Sequence, residues 1–550
     1  MTGQQCWERY GRMKARKSAY EADLENCALY IRPLRTGITT RPTEGSITTA
    51  QVYDSTALDA NRKLGSRITG TLCNRGTQWF GIKLRNADMN EVPAVRRWLD
   101  RTSEAMGMAL GQSAFYAEAN EALTDLPGVG TGGLFCDENP VITKGFNGLT
   151  FRACGIGELA IDEGPSGMVD VVGREFTLSA GAAVRRWKKG LSEKVRELAE
   201  TKPETVITFL HLVEPRDSTP KPKVNDDGTV DPIAPTHLPW ASYYVESETK
   251  TLVETGGYHE MPYAIGRWSR PSSDLYGRGI GHDALPTVRT LNEAWRLWLE
   301  EWPYTINPPI TRVVNRVVGP VRWVPGGITD VRDHEAIKEH PPQNHFDVVQ
   351  AGIKMLQDFI TSMFFTQEFS LRESSRMTTV EVYARLELMQ QLMGPNVARI
   401  MTEILNRIIE RVFGIMLRAK AFPAIPPELA DYVQSAGGWD VEYQSPLERA
   451  QRAPELQAIE RTMQAGATLV TAKPDVIDVM DVDEAFRFYG LTAGVPARLI
   501  RTVEEVGAIR QERAKQTQAM KALQAVNSIA DSMGKASGMV KALQPENGGA

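Results

Sequence analysis

Two amphipathic helical patterns separated by a short β-prone stretch restrict the fold of this 550-residue chain more than any other feature. The first pattern has apolar residues at successive spacings of 3, 4, 3 and 4, namely Val288, Leu291, Trp295, Trp298 and Trp302. The second has spacings of 4, 3, 4 and 3, namely Val349, Ile353, Leu356, Ile360 and Met363. Because such spacings place apolar side chains on one face of an α-helix, we predict two helices with one packed face each. We expect Pro303 to end the first helix.

The residues between the two helices, 305–345, lose the helical spacing. Within them, the valine-rich segment 308–327 is interrupted by Gly319-Pro320, which predicts two short strands around that pair. The two helices therefore flank a small excursion that contains β-structure.

The N-terminal part of the chain shows both helical and strand patterns. Helical spacing predicts three helices, over residues 7–32, 54–73 and 88–126. From 129 to 262, short β-prone runs such as 205–215 and 240–247 alternate with turns that contain Gly and Pro. This texture predicts a β-rich part.

The C-terminal part is mainly helical. A very long helical pattern runs from about Thr379 to Lys420 and contains Gly394-Pro395, where we expect a kink. A strand is predicted over 439–447, and helices rich in Ala, Gln and Arg over 448–515. As a whole, the pattern predicts an α+β protein that is mainly α.

The composition is that of an ordinary globular protein, with 42% hydrophobic and 24% charged residues. No stretch approaches the roughly 18 uncharged apolar residues of a membrane helix, and the N-terminus has no apolar signal core, so we expect neither membrane insertion nor export. The net charge of −5 argues against a chain-wide surface that grips nucleic acid through its phosphates. The five cysteines form no CxxC pair, which argues against a zinc, iron–sulfur or disulfide framework and predicts free thiols.

A glycine-rich segment, Gly277-Arg278-Gly279-Ile280-Gly281, precedes the first helix and raises the question of nucleotide binding. The dinucleotide fingerprint is G-x-G-x-x-G between a buried strand and a helix, whereas this segment is G-x-G-x-G and follows no apolar strand pattern. We therefore favour a compact turn, with Asp283 as a helix cap and Pro286 in the first helical turn. A nucleotide-dependent multidomain enzyme that uses Gly277–Gly281 is the alternative, and another oligomeric structural protein, such as a tail tube or adaptor, is a third option.

Three other motifs do not meet the requirements of their chemistry. The glycine-rich segment 127–133 is not followed by the lysine of a Walker loop. In the segment 334–340, the second histidine comes two positions too late for the zinc motif HExxH, and the acidic segment 475–486 lacks EF-hand spacing. No nucleophile elbow is present. We therefore predict no catalytic residue, no metal site and no cofactor.

The polar segment 366–379 has two interpretations. It could be an ordinary connection between helices, or a mobile loop that presents side chains to a polyanion. The candidates for phosphate contact are Gln367, Arg372, Ser374, Ser375 and Arg376.

The order of these parts resembles a viral portal protein, in which a helix, a small β excursion, a returning helix, a polar loop and a long kinked helix follow one another. Local stretches between residues 53 and 502 are similar to the head-to-tail connector family of short-tailed, T7-like bacteriophages. They are Tyr53-Asp54-Ser55-Thr56, Trp79-Phe80, Gly130-Thr131-Gly132, Arg267-Trp268, Tyr276-Gly277-Arg278-Gly279, Met377-Thr378-Thr379 with Glu381-Val382, Ser445-Pro446-Leu447 with Gln451, and 494–502. One departure is Thr378-Thr379-Val380-Glu381-Val382, where the family tends to have Thr-Ala-Thr-Glu-Val, which leaves open how the polar segment enters the next helix.

The resemblance implies the domains of a portal subunit. These would be a wing at 1–275 (its β-rich part at about 129–262), stem helices at 276–304 and 346–366, a clip at 305–345, a tunnel loop at 367–377, a long kinked helix returning to the wing at 378–447, a crown at 448–510 and a C-terminal barrel helix with a frayed tail at 511–550. The turn from wing to stem would be formed by Tyr276, Gly277, Arg278 and Gly279. Stem packing would involve Val288, Leu291, Trp295, Trp298, Ile353, Leu356 and Ile360.

The resemblance also implies a function without enzymatic activity. The family forms a ring, usually of twelve subunits, at one capsid vertex, through which double-stranded DNA is packaged and ejected. The implied partners are further copies of the chain, the DNA, the terminase large subunit, the tail adaptor protein, the major capsid and scaffolding proteins, and internal core or ejection proteins. The chain would be made in the host cytoplasm and become part of the virion, with Arg372 and Arg376 nearest the DNA.

Overall fold

The computed structural model describes residues 1–39, 45–76, 78–139, 145–217, 234–272, 274–306, 310–313, 315–321, 329–339, 346–366, 393–436, 441–444, 453–470, 481–492 and 506–520. The chain forms two compact units. The first contains Met1–Ile82, Thr102–Pro423 and Tyr443–Ala450, and the second contains Lys83–Arg101, Ala424–Glu442 and Gln451–Ala550.

Helices make up the larger part of the described residues, and several antiparallel sheets accompany them. The helices are α1 (Gly3–Ile31), α2 (Thr56–Leu72), α3 (Ala87–Glu91), α4 (Pro93–Gln112), α5 (Phe115–Val129), α6 (Ala180–Arg186), α7 (Glu193–Thr201), α8 (Ile280–Ile306), α9 (Phe346–Met363), α10 (Asn406–Arg418), α11 (Pro427–Ala436), α12 (Ala453–Val470) and α13 (Val482–Thr492). The strands are β1 (Gly81–Leu84), β2 (Thr131–Glu138), β3 (Leu149–Cys154), β4 (Leu159–Glu163), β5 (Val169–Ser179), β6 (Val206–Pro215), β7 (Trp240–Glu246), β8 (Leu252–Tyr258), β9 (Tyr263–Arg267), β10 (Ile310–Arg312), β11 (Val317–Val318), β12 (Asp330–Val331), β13 (Ile337–Glu339) and β14 (Val441–Gln444). This content confirms the prediction of a mainly helical α+β protein.

Two of the three predicted N-terminal helices are confirmed as α1 and α2, and the third is wrong. The single helix expected over 88–126 is instead α3, α4 and α5. Val92 separates the first two with a ψ of 118°, because a residue that precedes proline avoids the helical conformation. Pro127, expected at the helix end, lies inside α5, which is capped by Gly130 in the left-handed conformation.

The first unit contains two larger antiparallel sheets. The five-stranded sheet has the order β4-β5-β6-β7-β8, and the three-stranded sheet has the order β3-β2-β9. Their strands lie within or next to the β-rich part predicted over 129–262, and β6 and β7 coincide with the runs 205–215 and 240–247. Because β9 leads into the segment before α8, the three-stranded sheet positions the start of α8. We refer to α8 and α9 together as the helix pair.

A hydrophobic core joins α1 to both sheets and to the residue in front of the glycine segment. Its members include Leu24, Cys27, Ile161, Val172, Tyr263, Ile265 and Tyr276. All five cysteines are buried and free. Burial raises the pKa of Cys6 and Cys154 to about 11 and that of Cys27, Cys73 and Cys136 to about 12. These thiols therefore stay protonated and unreactive at neutral pH.

The excursion between α8 and α9 forms two small antiparallel sheets. β10 pairs with β13, with Ile310 opposite Glu339, and β11 pairs with β12. Two strands, β10 and β11, precede Gly319-Pro320 and pair with later strands and not with each other, whereas the strand predicted after Pro320 lies mostly outside the described residues. The pairing of β10 with β13 brings the end of α8 towards the start of α9.

The bounds of α8 correct three expectations. The helix continues through Pro303, which was expected to end it, as far as Ile306. A proline at that position removes one helical hydrogen bond, the one to the residue four positions earlier, and the remaining bonds continue the helix. The helix begins at Ile280, so Asp283 lies within the first turn and not at the cap, and Pro286 lies beyond the first turn.

The long helical pattern is confirmed where the structure describes it. Residues 393–400 are helical, a π-helical turn follows at Met401–Leu405, and α10 ends at Arg418. The part before residue 393 lies outside the described residues, so the kink at Gly394-Pro395 stays a prediction. β14 confirms the strand expected over 439–447.

The second unit contains α11, α12 and α13 and a further helix over residues 506–520. Arg510 in this last helix forms an ion pair of 2.6 Å with Asp483 of α13. The helices expected over 448–515 are thus present wherever that range is described.

Candidate functional site

The glycine segment 277–281 lies against a second glycine-containing segment, 127–130, at the end of α5 and just before β2. We call this contact the glycine crossing. A Cβ atom at position 277, 279 or 281 would overlap a carbonyl oxygen of the other segment, those of Gly130, Pro127 and Gly128 in turn. None of the three positions has a positive φ. The glycines are therefore required by the close approach of two backbones and not, as expected, by the geometry of a compact turn.

The amide groups of the crossing are engaged within the chain. Three consecutive N–H groups donate, from Gly277 to the Thr131 hydroxyl (2.9 Å), from Arg278 to the Ser269 carbonyl (2.7 Å) and from Gly279 to His282 Nδ1 (3.1 Å). Burial, and then the charge of Arg278, lower the pKa of His282, which keeps Nδ1 free of a proton and able to accept. A phosphate-binding loop needs free amide donors, and these three are used.

The space beside the crossing is also too small for a nucleotide. A crevice with a free volume of about 10 Å³, which is room for a single water molecule, is lined by Tyr20, Asp23, Leu24, Tyr276, Gly277, Arg278 and His282. Tyr276 is buried, its ring lies 5.2 Å from that of Tyr20, and its hydroxyl accepts a 3.3 Å hydrogen bond from the amide of Ile161. Arg278 is half exposed and pairs with Asp274 at 3.2 Å. The alternative of a nucleotide-dependent enzyme is not supported.

A buried arginine fixes the sheet strand that leads to the crossing. Arg267, at the end of β9, is 1% exposed and donates to Glu403 Oε1 at 2.7 Å and to Glu163 Oε2 at 3.1 Å. Its backbone N–H donates to the other oxygen of Glu403 at 2.8 Å. Because a buried charge is tolerated only where it is paired and hydrogen-bonded, this network ties β9 to β4 and to the long helix.

The π-helical turn of the long helix brings Glu403 to Arg267. Such a turn inserts an extra residue into the helix and is frequent at functional positions. The neighbouring Ile404 lies so close to Gly266 of β9 that a Cβ atom there would meet its Cδ1 at 2.5 Å. A side chain at position 266 would therefore require the Ile404 side chain to move.

The helix pair α8 and α9 contains the residues predicted to pack in the stem. Near the crossing, their side chains are buried, as for Val288, Leu291, Ile353 and Ile360. Trp295 and Trp298, further along α8, are half-buried, and so is Leu356, which lies between Ile353 and Ile360 on α9. The three tryptophans form a ladder, with ring centroids 4.9 Å apart for Trp295 and Trp298 and 5.0 Å apart for Trp298 and Trp302.

The short segment 51–54 holds both helices of the pair. The backbone N–H of Tyr53 donates to Asn292 Oδ1 of α8 at 2.7 Å, and Asn292 Nδ2 donates to the Gln51 carbonyl at 3.0 Å. One carboxylate oxygen of Asp54 accepts from Gln357 Nε2 of α9 at 2.8 Å, and the other accepts from the backbone N–H of Thr56 at the start of α2 at 2.8 Å. The segment therefore fixes Asn292 and Gln357 at the same level of the pair.

The predicted phosphate contacts Gln367, Arg372, Ser374, Ser375 and Arg376 lie outside the described residues. Among the described residues, no cluster of three or more His, Cys, Asp or Glu side chains could hold a metal ion. Within the same residues, no helix is long and apolar enough to span a bilayer.

Sequence reasoning missed the Arg267 network and the tie formed by Asp54 and Asn292. A signal existed for Arg267, since it is a charged residue at the end of the apolar run Tyr263–Arg267, and Glu403 similarly interrupts an apolar helix face. Asp54 was named only as part of the family-like stretch Tyr53-Asp54-Ser55-Thr56, which does not indicate its contact with Gln357. Nothing in the sequence indicates that Asn292 binds a backbone segment far away along the chain.

Two backbones held together at glycines and a helix pair that ends in a small β tip are features of a structural scaffold, and the amides of 277–279 are not free to bind a phosphate. The chain belongs to the family described as bacteriophage head to tail connecting protein, whose model matches residues 3–500. It is 27% identical over 499 residues to a probable portal protein of Bordetella phage BPP-1, covering 88% of this chain and 86% of that relative. It is 26% identical over 492 residues to a portal protein of Salmonella phage epsilon15, covering 86% and 84% respectively. The predicted family is thus confirmed, and its role is a structural one.

Proposed function

We propose that the chain is one subunit of a ring at a single capsid vertex, whose axis is the channel for double-stranded DNA during packaging and ejection. The family resemblance puts the number of subunits at twelve. In this proposal α8 and α9 form the stem, residues 310–339 belong to the clip, the first unit supplies the wing, and the helices after residue 448 supply the crown and the C-terminal barrel. The ring becomes part of the virion.

The observation that carries the proposal is the exposure of large apolar side chains along the half of the helix pair nearest the tip. Leu299, Trp302 and Ile306 continue the buried side of α8 but are exposed in the single chain. A soluble monomer rarely leaves such a run of large apolar residues in water, because their burial is favourable by roughly 25 cal/mol per Å². Copies of the same chain standing side by side would cover them.

The charges of the helix pair favour passage of DNA over tight binding. The only arginine in the middle of α8, Arg296, is held by Glu293 and Glu300 at 2.5 Å each, so its charge is compensated. Each DNA phosphate that a protein neutralises adds about 0.9 to the slope with which the logarithm of DNA affinity falls with the logarithm of salt concentration. A channel wall with many unpaired cations would therefore bind the DNA tightly. A chain of net charge −5 in which the stem arginine Arg296 is paired with two glutamates suits a conduit.

The tip between the helices is the proposed docking site for the terminase large subunit and then for the tail adaptor. Val313, Val318 and Val331 are exposed in or next to its two small sheets, and Ala336 is the one buried residue among those described between 310 and 338. The ion pair between Arg316 and Asp333, 2.7 Å, holds the β11–β12 hairpin in shape. Exposed valines on a rigid hairpin are surfaces that a partner protein can cover.

The ring is tested by mass measurement and end-on electron microscopy of the purified full chain. We expect closed rings of uniform subunit number with a central opening. A protein that stays monomeric at every concentration and salt would contradict the proposal.

The role of the polar segment is tested separately by Arg372→Ala combined with Arg376→Ala, with Arg289→Ala as the control. We expect the double variant to assemble rings and to package or retain less DNA than the control. Normal DNA content in heads that carry the double variant would remove the proposed role of these arginines and leave the ring proposal in place.

A further inference from the structure

α9 carries a second apolar stripe in addition to the one that packs on α8. Val348, Met355 and Phe359 are 69%, 67% and 55% exposed, and their spacings of seven and four residues place them on one face. At about 100° per residue, this face points roughly 130° away from the buried side formed by Ile353 and Ile360. The stripe therefore points away from α8, although Val349 and Leu356 lie at intermediate angles and connect it to the buried side.

α8 carries an outward stripe of the same kind. Leu297 and Tyr304 are 50% and 58% exposed and are seven residues apart. They point roughly 150° away from the side that contains Val288 and Leu291. Each chain thus offers two separate apolar faces, one on each helix.

The α8 stripe and the α9 stripe lie at similar distances along the helix axis, measured from the level of Asn292 and Gln357. Asn292 and Gln357 are at one level because the segment 51–54 binds both. At 1.5 Å per residue, Leu297 and Met355 lie about 7.5 and 3 Å from that level towards the tip, and Tyr304 and Val348 about 18 and 13.5 Å. Side chains lean towards the N-terminus of their helix, and the two helices run in opposite directions, so the remaining offset of about 4.5 Å becomes smaller at the side-chain level.

Resting on the proposed ring, we propose that the α8 stripe of one copy packs against the α9 stripe of the next as one part of each stem interface, with Leu297 opposite Met355 and Tyr304 opposite Val348. A closed ring is built from heterologous contacts, in which two different surfaces of each subunit meet. A chain with two distinct apolar faces of equal spacing and matching height meets this requirement. The occupant of each stripe is therefore a second copy of the chain.

The assignment leaves one charged face of α9 uncovered. Asp347, Lys354 and Asp358 lie on the side between the buried stripe and the second apolar stripe. In the proposed arrangement they stay in water, which their charge requires. Lys354 is thus a suitable control position within the same helix.

The test is disulfide cross-linking of Leu297→Cys combined with Met355→Cys in the full chain. The native thiols do not interfere, because all five are buried and protonated. Both new thiols point away from the α8–α9 contact of their own chain, so a bond between them joins two chains. We expect a ladder of covalent oligomers under mild oxidation, at least ten times stronger than from Leu297→Cys with Lys354→Cys.

The outcomes separate this inference from the proposed function. Rings seen by microscopy without the ladder, or with an equal ladder from the control pair, overturn the assignment of faces and leave the ring intact. The absence of rings in the unmodified protein overturns both.

A charge pair gives an independent measurement if the cysteine variant folds poorly. Met355→Glu alone should reduce ring formation at least tenfold, and adding Leu297→Lys should restore most of it, because each Glu then meets the Lys of the neighbour. Failure of the second substitution to restore assembly contradicts the pairing.

Discussion

The glycine crossing and the tip half of the helix pair differ in how completely contacts within one chain bury their apolar groups and pair their polar groups. At the crossing, backbone oxygens of 127–130 leave no room for a Cβ atom at Gly277, Gly279 or Gly281, and the amides of 277–279 all donate within the chain. Along the tip half of the pair, large apolar side chains such as Trp302 and Ile306 stay in water. A single copy therefore completes its own interior at the crossing but needs neighbours at the stem, so substitutions in the two regions should fail in different ways.

The largest effect on the stability of the subunit is expected from Gly281→Val. Its Cβ would overlap the carbonyl oxygen of Gly128, a backbone atom that cannot move aside. We expect a loss of about 4 kcal/mol or more, seen as insoluble protein or a strongly lowered unfolding temperature. Gly11→Ala is the control, because nothing lies within 4 Å of its Cβ and alanine favours the helix by about 1 kcal/mol. Equal stability of both variants would show that the two backbones are not locked.

The next effect is expected from Arg267→Met, which leaves the buried carboxylate of Glu403 without its cation. Breaking a buried pair in this way costs about 3–5 kcal/mol. Arg278→Met removes an exposed pair with Asp274 and should cost at most about 1 kcal/mol. Thermal unfolding of the two variants side by side measures the difference, and similar midpoints would mean that the network does not hold β9 in place.

A smaller, pH-dependent effect is expected from His211. Burial, followed by the charges of Arg174 and Arg186, lowers the pKa of His211 well below 6.5, and its ring nitrogens lie 2.7 Å from the Tyr263 hydroxyl and 3.0 Å from the Ser242 hydroxyl. Below pH 6.5 the unfolded chain binds a proton at this histidine that the folded chain does not, so stability falls as the pH falls. From pH 6.5 to 5.5 we expect a loss of about 1 kcal/mol from this residue.

The variant His211→Gln should remove that part of the pH dependence of the unfolding temperature. His237→Gln, at an exposed position, is the matched control and should leave the dependence unchanged. If the pH dependence of the wild-type unfolding temperature persists in His211→Gln, other groups cause it.

The smallest effect on the folded subunit is expected at the stem surface, where Ile306→Ser should change the free energy of unfolding by no more than about 0.5 kcal/mol, because the side chain is 75% exposed. The same variant should weaken ring formation, measured by sedimentation. Val288→Ser, at a buried position of the same helix, should instead destabilise the subunit by about 2 kcal/mol or more. If Ile306→Ser unfolds the subunit as Val288→Ser does, the contrast between the two regions does not exist.

The sequence predicted those elements whose signal is local. The spacings in 288–302 and 349–363 fall in α8 and α9, and the β-prone runs at 205–215 and 240–247 are strands, because periodicity alone decides such elements. Helix ends were predicted less well. Pro127 and Pro303 both lie inside helices, since losing one hydrogen bond is compatible with a helix that is held by its packing.

The purpose of the glycines could not be predicted, because it depends on a partner segment far away along the chain. The sequence 277–281 predicted a compact turn, whereas its glycines let one backbone come close to the residues around Gly128. The tie of Asn292 to Tyr53 and the pair of Arg267 with Glu403 are long-range contacts of the same kind. The family resemblance supplied the order of the parts but not these contacts.

The helix α2 touches α9 at two levels, since Asp54 at its start accepts from Gln357 and Arg67 donates to the Thr366 carbonyl at 3.3 Å. These two hydrogen bonds join α2 and Asp54, just before it, to α9 and to Thr366, just after α9. Because both hydrogen bonds connect the same two parts of the chain, a shift of α9 along its axis would be resisted by α2 and Asp54 at two points and not at one.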